Sequence, residues 1–135
     1  MNDLEQTQIE IFSKKKNLTQ IEKFLDETAK KMSIGEELYG KLFLAVLEAA
    51  NNAVVHGNKE DETKKARIEI EKTKETLIIT VVDEGAGFDY DNIPDPTLPE
   101  NIEKPDGRGV FVIKNLADEL TFENNGSTMQ MVFNL

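Results

Sequence analysis

The chain contains no cysteine in its 135 residues, so no disulfide is available to stabilise an exported fold. Long apolar runs are also missing. Leu77-Ile78-Ile79 and Val110-Phe111-Val112-Ile113 are among the longest, far short of the ~20 residues that span a bilayer, and no membrane-crossing helix is expected. The opening Met1-Asn2-Asp3-Leu4-Glu5 lacks the basic flank and apolar stretch of a secretory signal, and a cytoplasmic location is the default expectation. Positive charge is scarce, with 16 basic against 26 acidic residues and a net charge of −10. Counterion release from DNA or RNA is then unfavourable, and direct nucleic-acid binding is not expected. The same charge repels phosphate groups unless a metal ion or a helix N-terminus overrides it. Internal repeats and low-complexity tracts are absent.

What is present is the balance of a globular protein, 39% hydrophobic and 31% charged. A chain of this length buries roughly two-thirds of its unfolded surface in one core, so residues 1–135 are expected to form a single domain. Weak alternation over 8–12 suggests an edge strand, after which Asn17 is placed to cap a helix with apolar Leu18, Ile21, Phe24, Leu25 and Met32. A second helix is expected after Ser33-Ile34-Gly35. It carries Leu38, Leu42, Ala45, Val46, Ala49 and Ala53 at helical spacing and stops at Gly57. Strands are expected over 66–71 and 76–82, joined by a hairpin, the second too apolar to face water on both sides. Between 83 and 109 periodicity gives way to glycine, proline and acids, a length that in a compact domain points to a functional loop and reads as a lid. A third helix opens at Gly109, and strands near 120–123 and 129–133 flank an Asn124-Asn125-Gly126 turn. The implied class is α+β, with helices on one face of a mixed, mostly antiparallel sheet.

Three segments carry candidate chemistry. Glu48, Asn52 and His56 recur every four residues on an otherwise apolar helix. That spacing also describes an ordinary solvated face, but an amide oxygen suits a magnesium ion and a nearby carboxylate suits proton removal from a hydroxyl. Asp83-Glu84-Gly85-Ala86-Gly87-Phe88 follows directly on an apolar strand. An acidic turn is the plain alternative, yet a carboxylate there can accept from an exocyclic amine, and glycines let a flat ring lie against the backbone. Gly107-Arg108-Gly109-Val110 opens a helix whose free amides and dipole can meet phosphate oxygens, Arg108 adding a cation. Neither the P-loop nor the Gly-x-Gly-x-x-Gly pattern is present. Acids at 89–95 mimic a calcium loop, but Ile93 and Pro94 occupy positions needed for a ligand and a glycine.

In their order and spacing the three segments resemble the GHKL (Bergerat-fold, histidine kinase-like) ATPase superfamily, and within it the anti-sigma factor serine/threonine kinase family. The likeness runs from the first strand through Leu135 and includes Pro94-Asp95-Pro96-Thr97-Leu98-Pro99-Glu100 in the lid, placed at about 89–106. The resemblance implies a two-layer sandwich that binds Mg·ATP. Glu48 would be the general base toward a serine hydroxyl and Asn52 the magnesium ligand. Asp83 would bind the adenine amine, Gly85, Gly87 and Phe88 would line the base pocket, and Gly107, Arg108, Gly109 and Val110 would meet the phosphates. A last phosphate contact falls to Ser127 or Thr128, with Ser127 favoured by its distance from Gly126. It further implies a homodimer that sequesters an alternative sigma factor and phosphorylates a STAS-type anti-anti-sigma partner. An acidic surface is compatible with holding a basic sigma factor.

Other readings remain at this level. A nucleotide-gated binding module without useful catalysis would tolerate loss of Glu48. The ATP-binding half of a histidine kinase is disfavoured, because the one histidine, His56, sits inside the motif helix rather than on a separate phosphoacceptor helix. A ligand-free structural domain would require three ordered motifs to be accidental.

Overall fold

The computed structural model describes residues 5–85 and 108–135, apart from the side chains of residues 108, 109 and 125. Five strands form one sheet: β1 (Glu5–Phe12), β2 (Lys65–Lys72), β3 (Thr76–Val82), β4 (Glu119–Glu123) and β5 (Thr128–Asn134). Their order is β1-β2-β3-β5-β4, and all four pairings are antiparallel. Register puts every second residue on a common face. One row crosses the sheet as Ile9, Ile68, Val81, Met129 and Phe122, and the next as Ile70, Ile79, Met131 and Leu120. Ile68, Ile70, Ile79 and Met131 are fully buried or nearly so. Each such side chain contributes about 1.5–3 kcal/mol of hydrophobic stabilisation.

Helices α1 (Leu18–Lys31), α2 (Glu36–Asn51) and α3 (Arg108–Leu116) supply the second layer, with α2 packed against both α1 and α3. The expected apolar spacing holds in α1, which buries Ile21, Leu25 and Thr28. Asn17 does not cap it in the expected way. Its backbone is already helical and its side chain makes no cap bond. Instead Nδ2 donates to the Phe12 carbonyl at 2.8 Å, tying the helix entry to the end of β1. A carbonyl five residues back has taken the side chain that was expected to cap the helix.

In α2 the buried stripe is Leu42, Ala45, Val46, Ala49 and Ala50. Its small side chains let the helix lie close to its neighbours. Beyond Asn51 the helix widens into a π turn, Asn52–Gly57, closed by the Asn58 N–H donating to the Ala53 carbonyl at 2.8 Å. Such turns insert one residue per turn and are frequent at functional sites. Together, Glu36–Gly57 is long and apolar enough to cross a membrane by length and composition; Leu42, Val46 and Val54 belong to the core, while Leu44 is exposed.

The sheet face away from the helices is not covered as the apolar run of β3 suggests. Leu77, Ile79 and Val81 are buried, while Thr76, Ile78, Thr80 and Val82 are half-buried on the other side. Ile78 stands between Glu71 and Val132 there, and Val82 between Arg67 and Thr128, so neighbouring side chains partly cover a face that carries no helix.

Candidate functional site

At one end of the interface between α2 and the sheet lies a cavity of about 270 Å3. The π turn and the last turn of α2 provide Ala49, Asn52, Ala53, His56 and Gly57, and β3 provides Val81 and Asp83 where the chain leaves the sheet. The remaining wall is Val110 of α3, Met129 of β5, and Gly126 and Ser127 of the turn before it. Ala49, Ala53, Val81, Val110 and Met129 make an apolar slot with polar groups at its edge. A few convergent polar groups on an apolar pocket are the usual composition of a small-molecule site, and this volume lies at the small end of that range. It matches a flat heterocycle better than a whole nucleotide.

Asp83 is the most constrained of the polar groups. Its N–H donates to the Ser127 carbonyl at 2.9 Å, extending the β3–β5 pairing by one step. Its carboxylate accepts the Gly85 N–H at 2.8 Å. Burial pushes the carboxyl above the ordinary aspartate range, against the opposing pulls of the Gly85 hydrogen bond and the Lys64 charge. A carboxylate kept from water and given one protein donor has acceptor capacity left for a ligand N–H.

Two glycines make this arrangement possible. A Cβ on Gly57 would stand 2.5 Å from the Asp83 carboxyl carbon, and a Cβ on Gly85 would run into the Gly57 carbonyl. The helix motif and the loop after β3 therefore touch backbone to backbone. The turn opposite is equally specific. Gly126 has φ of 96°, in the range that favours glycine, and Ser127 Oγ donates to the Asn124 carbonyl at 2.9 Å.

Of the residues singled out in the sequence, Asn52, Asp83, Val110 and Ser127 share the cavity. Gly85 stands directly behind Asp83. Glu48 is half-buried but is not part of the cavity lining. Four residues along an α-helix overshoot a full turn by about 40°, which leaves Glu48 on the flank while residues 49, 52, 53 and 56 form the wall. Of the two candidates near the end of the chain, Ser127 faces the cavity, while Thr128 is buried with Oγ1 accepting from Asn124 Nδ2 at 3.2 Å. Helix α3 is described from Arg108 onward, so the expected start at Gly109 falls at the edge of the described residues. Gly87, Phe88, Gly107 and the segment 89–106 lie outside the described residues.

Sequence reasoning missed two neighbours of the site. Gly57 reads as a helix stop, and only its approach to Asp83 shows why a side chain is excluded. Asn58, 1% exposed, holds the first glycine loop by donating to and accepting from three separate segments. A polar residue directly after a helix-ending glycine was the available signal.

The donor set also bears on which cation the site can take. Among the described residues no three His, Cys, Asp or Glu side chains cluster to hold a metal ion. Magnesium takes few protein ligands and keeps water and phosphate oxygens. The single amide oxygen of Asn52 at the cavity edge fits a magnesium ion that arrives with phosphates, and does not fit one held by the protein alone.

Comparison with known proteins agrees in extent with this site. Residues 11–133 match the family model described as histidine kinase-like ATPase domain. The chain is similar to the serine-protein kinase RsbW of Bacillus subtilis strain 168, at 31% identity over 116 residues that cover 79% of this chain and 71% of the relative. It is also similar to the serine-protein kinase RsbW of Oceanobacillus iheyensis, at 30% identity over 114 residues covering 80% and 72%. For that of Bacillus cereus strain Q1 the identity is 28% over 138 aligned positions, covering 97% and 86%.

Proposed function

Because the chain belongs to the histidine kinase-like ATPase family, we infer that it is an ATP-dependent protein serine kinase and anti-sigma factor. It phosphorylates a STAS-type anti-anti-sigma partner and sequesters an alternative sigma factor. The observation that carries the kinase reading is the meeting of Asn52, Asp83, Val110 and Ser127, from four separate stretches of chain, around one base-sized cavity beside Glu48. Relatives named serine-protein kinase RsbW support the same reading.

In this reading Asp83 accepts the adenine exocyclic amine, and the apolar slot holds the ring. Gly85 leaves the pocket floor without a side chain, and the family likeness assigns Gly87 and Phe88 to the base pocket as well. Asn52 would hold magnesium through its amide oxygen, and the ion would supply the positive charge toward phosphate that an acidic protein lacks. Gly107, Arg108, Gly109 and Val110 are the phosphate contacts, because free backbone amides and the positive dipole end at a helix N-terminus favour phosphate oxygens. Ser127 closes the site from the β5 side. Glu48, on the flank of the cavity, takes the proton of the substrate serine hydroxyl as that oxygen bonds to the γ-phosphorus of ATP and the bond to the β,γ-bridging oxygen breaks, releasing ADP; the role needs a group within reach of an incoming protein rather than of the base.

The whole chain, 1–135, acts as one ATPase domain with its lid at about 89–106. It works in the cytoplasm as a homodimer and binds no nucleic acid directly, consistent with its net charge of −10. Pull-down from the source cell with ADP or ATP present, followed by mass spectrometry, tests the assignment. A sigma factor and a STAS protein bearing a new phosphoserine are expected among the captured proteins. Recovery of neither, from a protein that binds ATP, would leave a nucleotide-binding module of another kind.

A further inference from the structure

The geometry points to Asn58 as the positioning residue that sets the base selectivity of the nucleotide site, acting through the peptide that follows Asp83. The inference rests on Asp83 being the acceptor for the adenine amine. Asn58 follows the π turn and is almost wholly buried, at 1% exposure. Its Oδ1 accepts the Glu84 N–H at 2.7 Å, while Nδ2 donates to Ser13 Oγ at 2.8 Å and to the Lys65 carbonyl at 3.0 Å. Its own N–H donates to the Ala53 carbonyl at 2.8 Å. The side chain therefore joins Ser13 just after β1, the start of β2 and the loop that carries Asp83, while the backbone N–H ties the residue to the turn that carries Asn52 and His56.

The orientation of the amide is dictated by its partners. A backbone N–H can only donate and a carbonyl can only accept, so Oδ1 must face Glu84 and Nδ2 must face Lys65. Aspartate in the same place would keep the acceptor for Glu84 but set an oxygen against the Lys65 carbonyl. The consequence for Asp83 is direct. Its N–H is held by the Ser127 carbonyl on one side, and the next N–H along the chain is held by Asn58 on the other. With both flanking peptide groups fixed, the Asp83 side chain leaves the backbone in one direction. Among the described residues the carboxylate has one donor, the Gly85 N–H, which belongs to the same loop, so its aim depends on the backbone beneath it. A buried amide with its main partners satisfied is costly to disturb and well suited to hold such a group rigid.

Isothermal titration with ATP and with inosine triphosphate, which carries a carbonyl in place of the exocyclic amine, separates positioning from plain stability. The wild type is expected to prefer ATP by about 10- to 100-fold, the range of one hydrogen bond to a charged group. Asn58→Ala should reduce that preference at least about fivefold, weakening ATP much more than inosine triphosphate. Ser13→Ala removes two bonds of the same network, from Asn58 Nδ2 to Ser13 Oγ and from Ser13 Oγ to the Lys64 carbonyl, without touching Glu84. It should lower Tm and leave the preference intact, and Asn58→Asp, which retains the acceptor, should keep most of it. A folded Asn58→Ala variant with the wild-type preference overturns the inference. A wild type that binds ATP but shows no preference for it removes the role of Asp83 on which the inference rests, and a wild type that binds neither nucleotide removes the kinase reading with it. If Asn58→Ala does not fold, hydrogen exchange at the Glu84 amide of the native protein decides. Exchange slowed at least about tenfold relative to an unprotected amide is expected, and unprotected exchange overturns the proposal.

Discussion

The α-hydrogen of Gly57 points at the carboxyl group of Asp83, and a methyl group in its place would stand 2.5 Å from the carboxyl carbon. The motif on α2 and the motif after β3 are thus pressed together at a point where neither backbone can carry a side chain. Gly57→Ala must push Asp83 aside or open the π turn. We expect it to cost roughly 1–3 kcal/mol of stability, as overpacking does, and to weaken ATP binding at least about tenfold by displacing the amine acceptor. Calorimetric titration beside a melting curve checks both, and unchanged ATP affinity in the variant would contradict the assigned role of Asp83.

Asp83→Asn should move stability and binding in opposite directions. Burial raises the carboxyl's folded-state pKa above its unfolded value. Below the ordinary carboxylate range the side chain is protonated in both states and has no effect. As pH rises from that range through the raised folded value, the unfolded state ionises first, stability falls, and it stays lower at neutral pH. The asparagine variant escapes this penalty while keeping an acceptor for the Gly85 N–H. Without ligand it should melt at a higher temperature than the wild type at pH 7, with the difference shrinking on acidification. ATP binding should weaken about 10- to 100-fold. A less stable ligand-free variant at pH 7 would count against a carboxylate that partial burial disfavours in its ionised form.

Magnesium should bind only with the nucleotide. No acidic or histidine cluster among the described residues can hold it alone, so titration of the protein with Mg2+ in the absence of ATP should give no saturable heat. With ATP present, Asn52→Ala should remove most of the magnesium-dependent gain in affinity while leaving magnesium-free nucleotide binding within about twofold. A saturable Mg2+ site without nucleotide would refute this arrangement.

Much of the fold was legible because its elements follow their own periodicities. The edge position of β1, the α2 stripe from Leu42 to Ala53, and β3 over Thr76–Val82 all follow from spacing that a helix or strand imposes on any sequence. What could not be read depends on partners outside the element that carries the residue. Asn17 has the residue type of a helix cap, but the Phe12 carbonyl claims its side chain. The period of four in Glu48, Asn52 and His56 suggested one face, yet the helical overshoot turns Glu48 out of the cavity that the other two line. Gly57 and Asn58 show no special pattern in isolation, because the need for a missing side chain at one and a buried amide at the other arises from Asp83 and Glu84, which lie 26 residues further along in each case.

The central claim is phosphoryl transfer to serine with Glu48 as the base, and the most direct measurement compares wild type with Glu48→Gln. Both are incubated with Mg·ATP and the STAS-domain partner, and phosphoserine is quantified over time alongside ATP affinity. Since Glu48 stands outside the cavity lining, the variant should bind ATP within about twofold of the wild type yet transfer phosphate about 10²- to 10⁴-fold more slowly, the usual share of a general base. Equal rates for the two proteins, or no phosphoserine formed by the wild type, would contradict the account.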